Sequence, residues 1–148
     1  MTSIMVLNGP NLGRLGTREP DIYGSQTLGD IESGLRERCP EGVTLDVRQS
    51  DDEATLIGWL HDAADAKTPV IFNPAAFTHY SYALRDACHI VTGAGVPLIE
   101  VHLSNPHTRE SFRHTSVISG AATGVIAGFG EQSYYLALSH ILTLLERP

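Results

Sequence analysis

Short apolar runs alternate with segments whose apolar residues recur at helical spacing. Ile4-Met5-Val6-Leu7 reads as a buried-type strand stopping at Asn8-Gly9-Pro10, a turn signal. Leu28, Ile31 and Leu35 fall on one helical face, ended by Cys39-Pro40-Glu41-Gly42. Val43 to Val47 alternates as a second strand. Leu56, Ile57, Leu60, Ala63 and Ala64 mark the next helix face. Val70-Ile71-Phe72 is a third strand entering Asn73-Pro74, and Tyr82 to Val91 is helix-compatible, closed by Gly93 and Gly95. Leu98 to Val101 is a fourth strand. Gly124 to Ala127 is a fifth, entering Gly128-Phe129-Gly130, and Tyr135, Leu138, Ile141, Leu142 and Leu145 form a last amphipathic helix. This alternation predicts an α/β domain with a five-stranded parallel sheet and helices on both faces.

Ligands in such folds bind beyond the carboxyl ends of the strands. The segments placed there are Asn8-Gly9-Pro10-Asn11, Asn73 to His79, and His102-Leu103-Ser104-Asn105, all dense in Asn, His or Ser. The strand starts carry no such groups. The expected site is therefore assembled from the first, third and fourth crossover loops. The longest connection, about residues 9–26, holds Arg14, Arg18, Glu19, Asp21 and Tyr23. A loop of that length is a solvated surface loop or a functional lid that carries reactive groups.

Tyr23 near Arg18 suits a base. An ordinary phenol, of pKa ≈ 10, ionises at pH 7 at a cost of about 4 kcal/mol, and a nearby guanidinium favours the phenolate. By itself the pairing is a weak signal, since most tyrosines near an arginine are packed or stacked against it. Glu100 and His102 lie two apart on a strand and share a face, so the carboxylate fixes the imidazole tautomer and suits it to general-acid work, unless this is a structural histidine. His79 comes from another loop and can meet His102. Arg109 and Arg113 are four apart, on one face of a short helix if one forms. They make either an anion-binding surface with Arg18 or surface ion pairs with Glu110 or Asp86. No His-Glu-x-x-His or Cys-x-x-Cys spacing points to metal. Gly9, Gly13 and Gly16 match neither phosphate-binding glycine pattern, and there is no Gly-x-Ser-x-Gly elbow.

Composition narrows the classes further. The chain has 148 residues, 42% of them hydrophobic and 18% charged, which is enough for one domain with its own core. A net charge of −7 argues against nucleic acid or an anionic membrane as partner. Nine of the ten basic residues are arginine, and Lys67, before Pro69, reads as a solvated helix end, so a lysine Schiff-base mechanism lacks a nucleophile. The two cysteines, Cys39 and Cys88, are too few for a disulfide scaffold. No apolar run is long enough for a membrane span, and no secretory signal is read. The expectation is a cytoplasmic protein with a single domain over residues 1–148.

Several blocks resemble a known family. Asn8-Gly9-Pro10-Asn11-Leu12, Leu15-Gly16-Thr17-Arg18-Glu19-Pro20 and Tyr23-Gly24 are similar to the N-terminal signature of the type II 3-dehydroquinate dehydratases. Arg48-Gln49-Ser50, Asn73 to His79 with Ala83 to Ala87, and Glu100 to Asn105 with Arg109 to Ser116 agree with it in order and spacing. The resemblance implies a flavodoxin-like three-layer sandwich and anti elimination of water from 3-dehydroquinate to give 3-dehydroshikimate, in aromatic biosynthesis or quinate breakdown. It implies no metal, no cofactor, and a dodecamer built from trimers. It implies that Tyr23 removes the C2 proton, that Arg18 holds the phenolate and stabilises the enolate, that His102 protonates the departing C1 hydroxyl, and that Asn11 orients either His102 or that hydroxyl. Asn73 with the N–H groups of Leu103 and Ser104 would bind the carboxylate, His79 and Arg113 the ring hydroxyls, and Asp86 would reach a neighbouring subunit's site. Gly13-Arg14, Tyr80, Tyr82 and Ser111 depart from the common pattern, away from the acid and base. The alternative is a flavodoxin-like module that binds a small ligand without catalysis.

Overall fold

Strand β1 (Thr2–Asn8) runs between β2 (Val43–Gln49) and β3 (Val70–Asn73), and β4 (Leu98–His102) and β5 (Gly124–Ala127) extend the sheet in the order β2-β1-β3-β4-β5, all parallel. The computed structural model describes residues 2–17 and 19–147. Arg18 therefore lies outside the described residues. The helices are α1 (Pro20–Tyr23), α2 (Leu28–Glu37), α3 (Glu53–Ala66), α4 (Tyr82–Gly93) and α5 (Gln132–Leu145).

The pleat of β1 sorts its side chains into two cores. Ile4 and Val6 pack with Ile31 and Leu35 of α2 and Tyr134, Leu138 and Ile141 of α5. Met5 and Leu7 pack on the other face with Leu56 and Leu60 of α3 and Leu84, Cys88 and Val91 of α4. Both faces are thus covered, which gives the expected three-layer, flavodoxin-like sandwich. Helix starts are capped locally. Thr27 and Asp30 form a reciprocal capping box on α2, Asp52 accepts from the Thr55 N–H on α3, and Ser81 accepts from the Leu84 N–H on α4.

Three details differ from the sequence expectation. The 9–26 connection is not plain loop, because a 3-10 turn at Leu12–Arg14 buries Leu12, Leu15 is buried just after it, and Pro20 starts the one-turn α1. Arg109 and Arg113 do not share one helix: Arg109 ends the turn Pro106–Thr108, while Arg113 lies in a separate turn, Ser111–His114. On α5 the buried face runs through Tyr134, Tyr135, Ala137, Leu138 and Ile141, while Leu145 is exposed.

The chain reverses its winding direction between β1 and β3, and their carboxyl ends frame a crevice. Gly9 lets the two ends approach: its N–H donates to the Asn73 carbonyl at 2.8 Å, and a Cβ there would sit 2.7 Å from the Pro74 carbonyl oxygen. The obstacle is backbone and cannot rotate away. Gly9→Ala is expected to lower stability by about 1–3 kcal/mol, read as a lower guanidinium midpoint at unchanged slope; an unchanged midpoint would refute this reading of the junction.

Candidate active site

Pro10, Asn11, Leu12, Tyr23, Asn73, Ala75, Ala76, His79, His102, Leu103, Ser104, Pro106, Arg109 and Arg113 line one pocket over the carboxyl ends of β1, β3 and β4. The first, third and fourth crossover loops build it, as the strand-end rule predicts. Of the residues singled out from sequence, Asn11, Tyr23, Asn73, His79, His102, Leu103, Ser104 and Arg113 meet there. Asp86 lies on the exposed face of α4, beside Arg85 and outside its own chain's pocket.

Asn11 stands at the rim in the left-handed region, φ 69°, which asparagine tolerates better than most residues. Its N–H donates to Asp51 Oδ1 at 2.9 Å, and Gln49 Nε2 ties Asp51 to the Gly9 carbonyl. Ala75, φ 53°, is the second left-handed residue of the pocket, and its N–H donates to Asn73 Oδ1 at 3.0 Å. Nothing in an alanine signals that conformation, so it was not legible in the sequence.

His102 Nε2 donates to Glu100 Oε2. Glu100 is fully buried and also accepts from Thr78 Oγ1 and Ser119 Oγ, each at 2.6 Å. Burial alone would raise its pKa, but the bond and charge of His102, with the two hydroxyls, outweigh burial and hold the carboxyl below the ordinary 4.5. An ionised carboxylate only accepts, so it fixes the His102 tautomer and ring orientation and leaves Nδ1 for the pocket. His79 Nδ1 donates to the Thr115 carbonyl at 2.8 Å. Burial, with Arg113 and His102 adding to it, pushes His79 below its usual 6.5, so the ring is neutral at pH 7 with Nε2 as acceptor.

Arg109 is the residue whose role the sequence did not reveal. Its Nη2 donates to Tyr23 Oη at 2.7 Å, its guanidinium stands 5.0 Å from the centre of the Tyr23 ring, and its Nη1 donates to Ser104 Oγ at 3.1 Å. Its side chain is only 11% exposed. Arginines are seldom buried this far without a paired anion, yet among the described residues its Nε has no hydrogen-bond acceptor. Glu110, the alternative partner, accepts instead from Arg113 Nε at 3.1 Å and lies 3.9 Å from Arg109 Nε. A phenol, an imidazole backed by a buried carboxylate, and a cation with a spare donor therefore share one cleft. That set serves proton transfer at both ends of a small anionic molecule. Among the described residues no group of three or more His, Cys, Asp or Glu is arranged to hold a metal ion.

The chain is similar to known proteins over most of its length. The family model "Dehydroquinase class II" matches residues 2–142. A 3-dehydroquinate dehydratase of Mycobacteroides abscessus is 57% identical over 141 residues, covering 95% of this chain and 96% of the relative. One of Kineococcus radiotolerans is 55% identical over 136 residues, covering 91% of each. The crystal structure of a type II dehydroquinase from Propionibacterium acnes superposes with a TM-score of 0.91 at 51% identity, covering 97% of both chains. With the family model matching residues 2–142 and relatives more than half identical over at least nine-tenths of both chains, the chain belongs to the class II dehydroquinases.

Proposed function

We propose that 3-dehydroquinate loses water in this pocket to give 3-dehydroshikimate, with Tyr23 as base and His102 as acid. The observation that carries the reading is the convergence of Tyr23, bonded to the Arg109 guanidinium, and His102, bonded to Glu100, on one cleft. The Tyr23 oxygen takes the proton from C2, and the electron pair passes to the C3 carbonyl oxygen as an enolate. Re-forming that carbonyl expels the C1 hydroxyl, which takes a proton from His102 and leaves as water. Tyr23 then gives up its proton and His102 regains one through solvent, which resets the site. Arg109, whose Nε has no acceptor among the described residues, and Asn73, with a second Nδ2 hydrogen, both line the pocket and supply positive charge and a donor for an anion. A fixed donor of this kind contributes roughly 3 kcal/mol to a developing charge.

The remaining roles follow the same reading. Arg18 joins Arg109 in holding the phenolate, and Asn11 orients the leaving hydroxyl. Asn73 with the N–H groups of Leu103 and Ser104 takes the carboxylate, and His79 and Arg113 take the ring hydroxyls. Residues 1–148 act as one catalytic domain, with 9–26 as its lid. Twelve copies assemble as four trimers, with Asp86 facing a neighbour's site; exposed Tyr82 and Ile90 on the same helix favour a face covered by protein. The free thiols of Cys39 and Cys88 fit a reducing cytoplasm.

Appearance of the conjugated enone product, followed by absorbance with 3-dehydroquinate as substrate, tests the activity. Tyr23→Phe is expected to lower kcat by about two orders of magnitude or more with the circular dichroism spectrum intact; a near-normal kcat removes the base assignment. Glu100→Gln should lower kcat about 10- to 100-fold by freeing the His102 ring. It should also change acid stability. The folded Glu100 carboxyl titrates below its unfolded value, so its stabilisation is complete above about 4.5 and drains away as pH falls through the lower folded value. Denaturant titrations from neutral pH to pH 3 should therefore fall less steeply in Glu100→Gln than in the wild type; identical slopes would refute the linkage.

A further inference from the structure

Asn8 and Asn73 face each other in the last register position of β1 and β3, and both are buried, at 0% and 2% exposure. Between them stands Tyr134 of α5, which is wholly buried and does not line the pocket. Four hydrogen bonds join these side chains, with a backbone group at each end. The Ala75 N–H donates to Asn73 Oδ1 at 3.0 Å, and Asn73 Nδ2 donates to Tyr134 Oη at 2.9 Å. The Tyr134 hydroxyl donates to Asn8 Oδ1 at 2.7 Å, and Asn8 Nδ2 donates to the Arg48 carbonyl at 3.1 Å.

The two ends dictate the direction of everything between them. A backbone N–H only donates and a carbonyl only accepts. Turning the Asn73 amide over would set donor against donor at Ala75, and turning Asn8 over would set acceptor against acceptor at Arg48. Each buried mismatch costs about 1–3 kcal/mol. Burial pushes the Tyr134 phenol up, well away from ionisation, so its hydrogen stays available for Asn8. Asn73 therefore commits one Nδ2 hydrogen to Tyr134 and keeps the other, on a residue that lines the pocket.

We propose that Tyr134 is a positioning residue, whose hydroxyl locks the Asn73 amide so that a hydrogen, never the amide oxygen, meets an anionic group of the substrate. The inference rests on the reading of Asn73 as a carboxylate ligand. A carboxylate keeps its charge throughout the reaction, so the interaction is equally strong in ground and transition states. Its loss belongs in KM and not in kcat.

Kinetics of four proteins on 3-dehydroquinate test this: wild type, Tyr134→Phe, Asn73→Ala and the double variant. Tyr134→Phe should raise KM about tenfold with kcat within about threefold, and should add less than about twofold to KM in the Asn73→Ala background. Loosened packing alone would lower kcat too and would multiply through both backgrounds. A wild-type KM for Tyr134→Phe beside a raised KM for Asn73→Ala overturns the positioning role alone. A full KM effect persisting in the double variant does the same. A wild-type KM for Asn73→Ala removes the carboxylate reading and this inference with it. Should Tyr134→Phe fail to fold, Asn8→Ala keeps the Tyr134–Asn73 contact and removes only the acceptor that anchors the hydroxyl. It should raise KM in the same sense by a smaller factor, and an unchanged KM would overturn the proposal.

Discussion

Two amides buried at the ends of adjacent strands set the terms for this molecule. Asn8 and Asn73 terminate β1 and β3 where the winding of the sheet reverses, and neither has water to turn to. A buried amide without partners is costly, so the surrounding fold has to supply donors and acceptors of the right sign. The supply comes from three directions: the carbonyl of Arg48 on β2, the N–H of Ala75 after β3, and the hydroxyl of Tyr134 on α5. Meeting that demand fixes the relative places of the strand ends and of α5. Ala75, which supplies that N–H, is itself held in an unfavourable left-handed conformation. Such a cost of order 1–3 kcal/mol persists when the surroundings over-determine it.

A second buried polar group governs the other wall of the pocket. Glu100 lies in the middle of the sheet with three donors around one carboxylate, and that saturation keeps it ionised in a place where burial alone would neutralise it. The consequence reaches the surface only through His102, whose ring is oriented from below and open to the cleft from above. Both walls follow one logic. A fully satisfied buried network holds a single side chain that reaches the pocket, and rigidity comes from the groups the substrate never touches.

The fold was legible because period-2 and period-3.6 patterns are local. Each strand and long helix could be placed from residues within a few positions of one another, and the strand-end rule located the site. Hydrogen-bond partners distant in sequence were not legible in that way. The pairing of Tyr23 with Arg18, five residues away, lies outside the described residues, and its bond to Arg109 spans 86 positions and carries no local signal. Arg109 and Arg113 suggested a common helix face by their spacing, but the chain makes two separate turns there, and the two cations reach the pocket from different ones. Tyr134 escaped notice because an apolar stripe was traced through Tyr135 and Leu138. A helix packed into a broad face buries the neighbouring column too, and there the tyrosine finds two amides to bridge.

These contrasts imply a division of labour within the 9–26 segment. Leu12 and Leu15 are buried in the main core, so the first part of the segment is pinned by apolar packing. The one-turn α1 buries no residue; Tyr23 is half-buried against the core and holds to the body through a polar bond to Arg109. Opening α1 would therefore expose little apolar surface and exchange polar contacts, the Arg109 bond among them, for water. Both changes are inexpensive next to unpinning Leu12 and Leu15. The apolar anchor of the segment thus lies in its first part, and Tyr23 is carried on the part held to the body largely by polar contact.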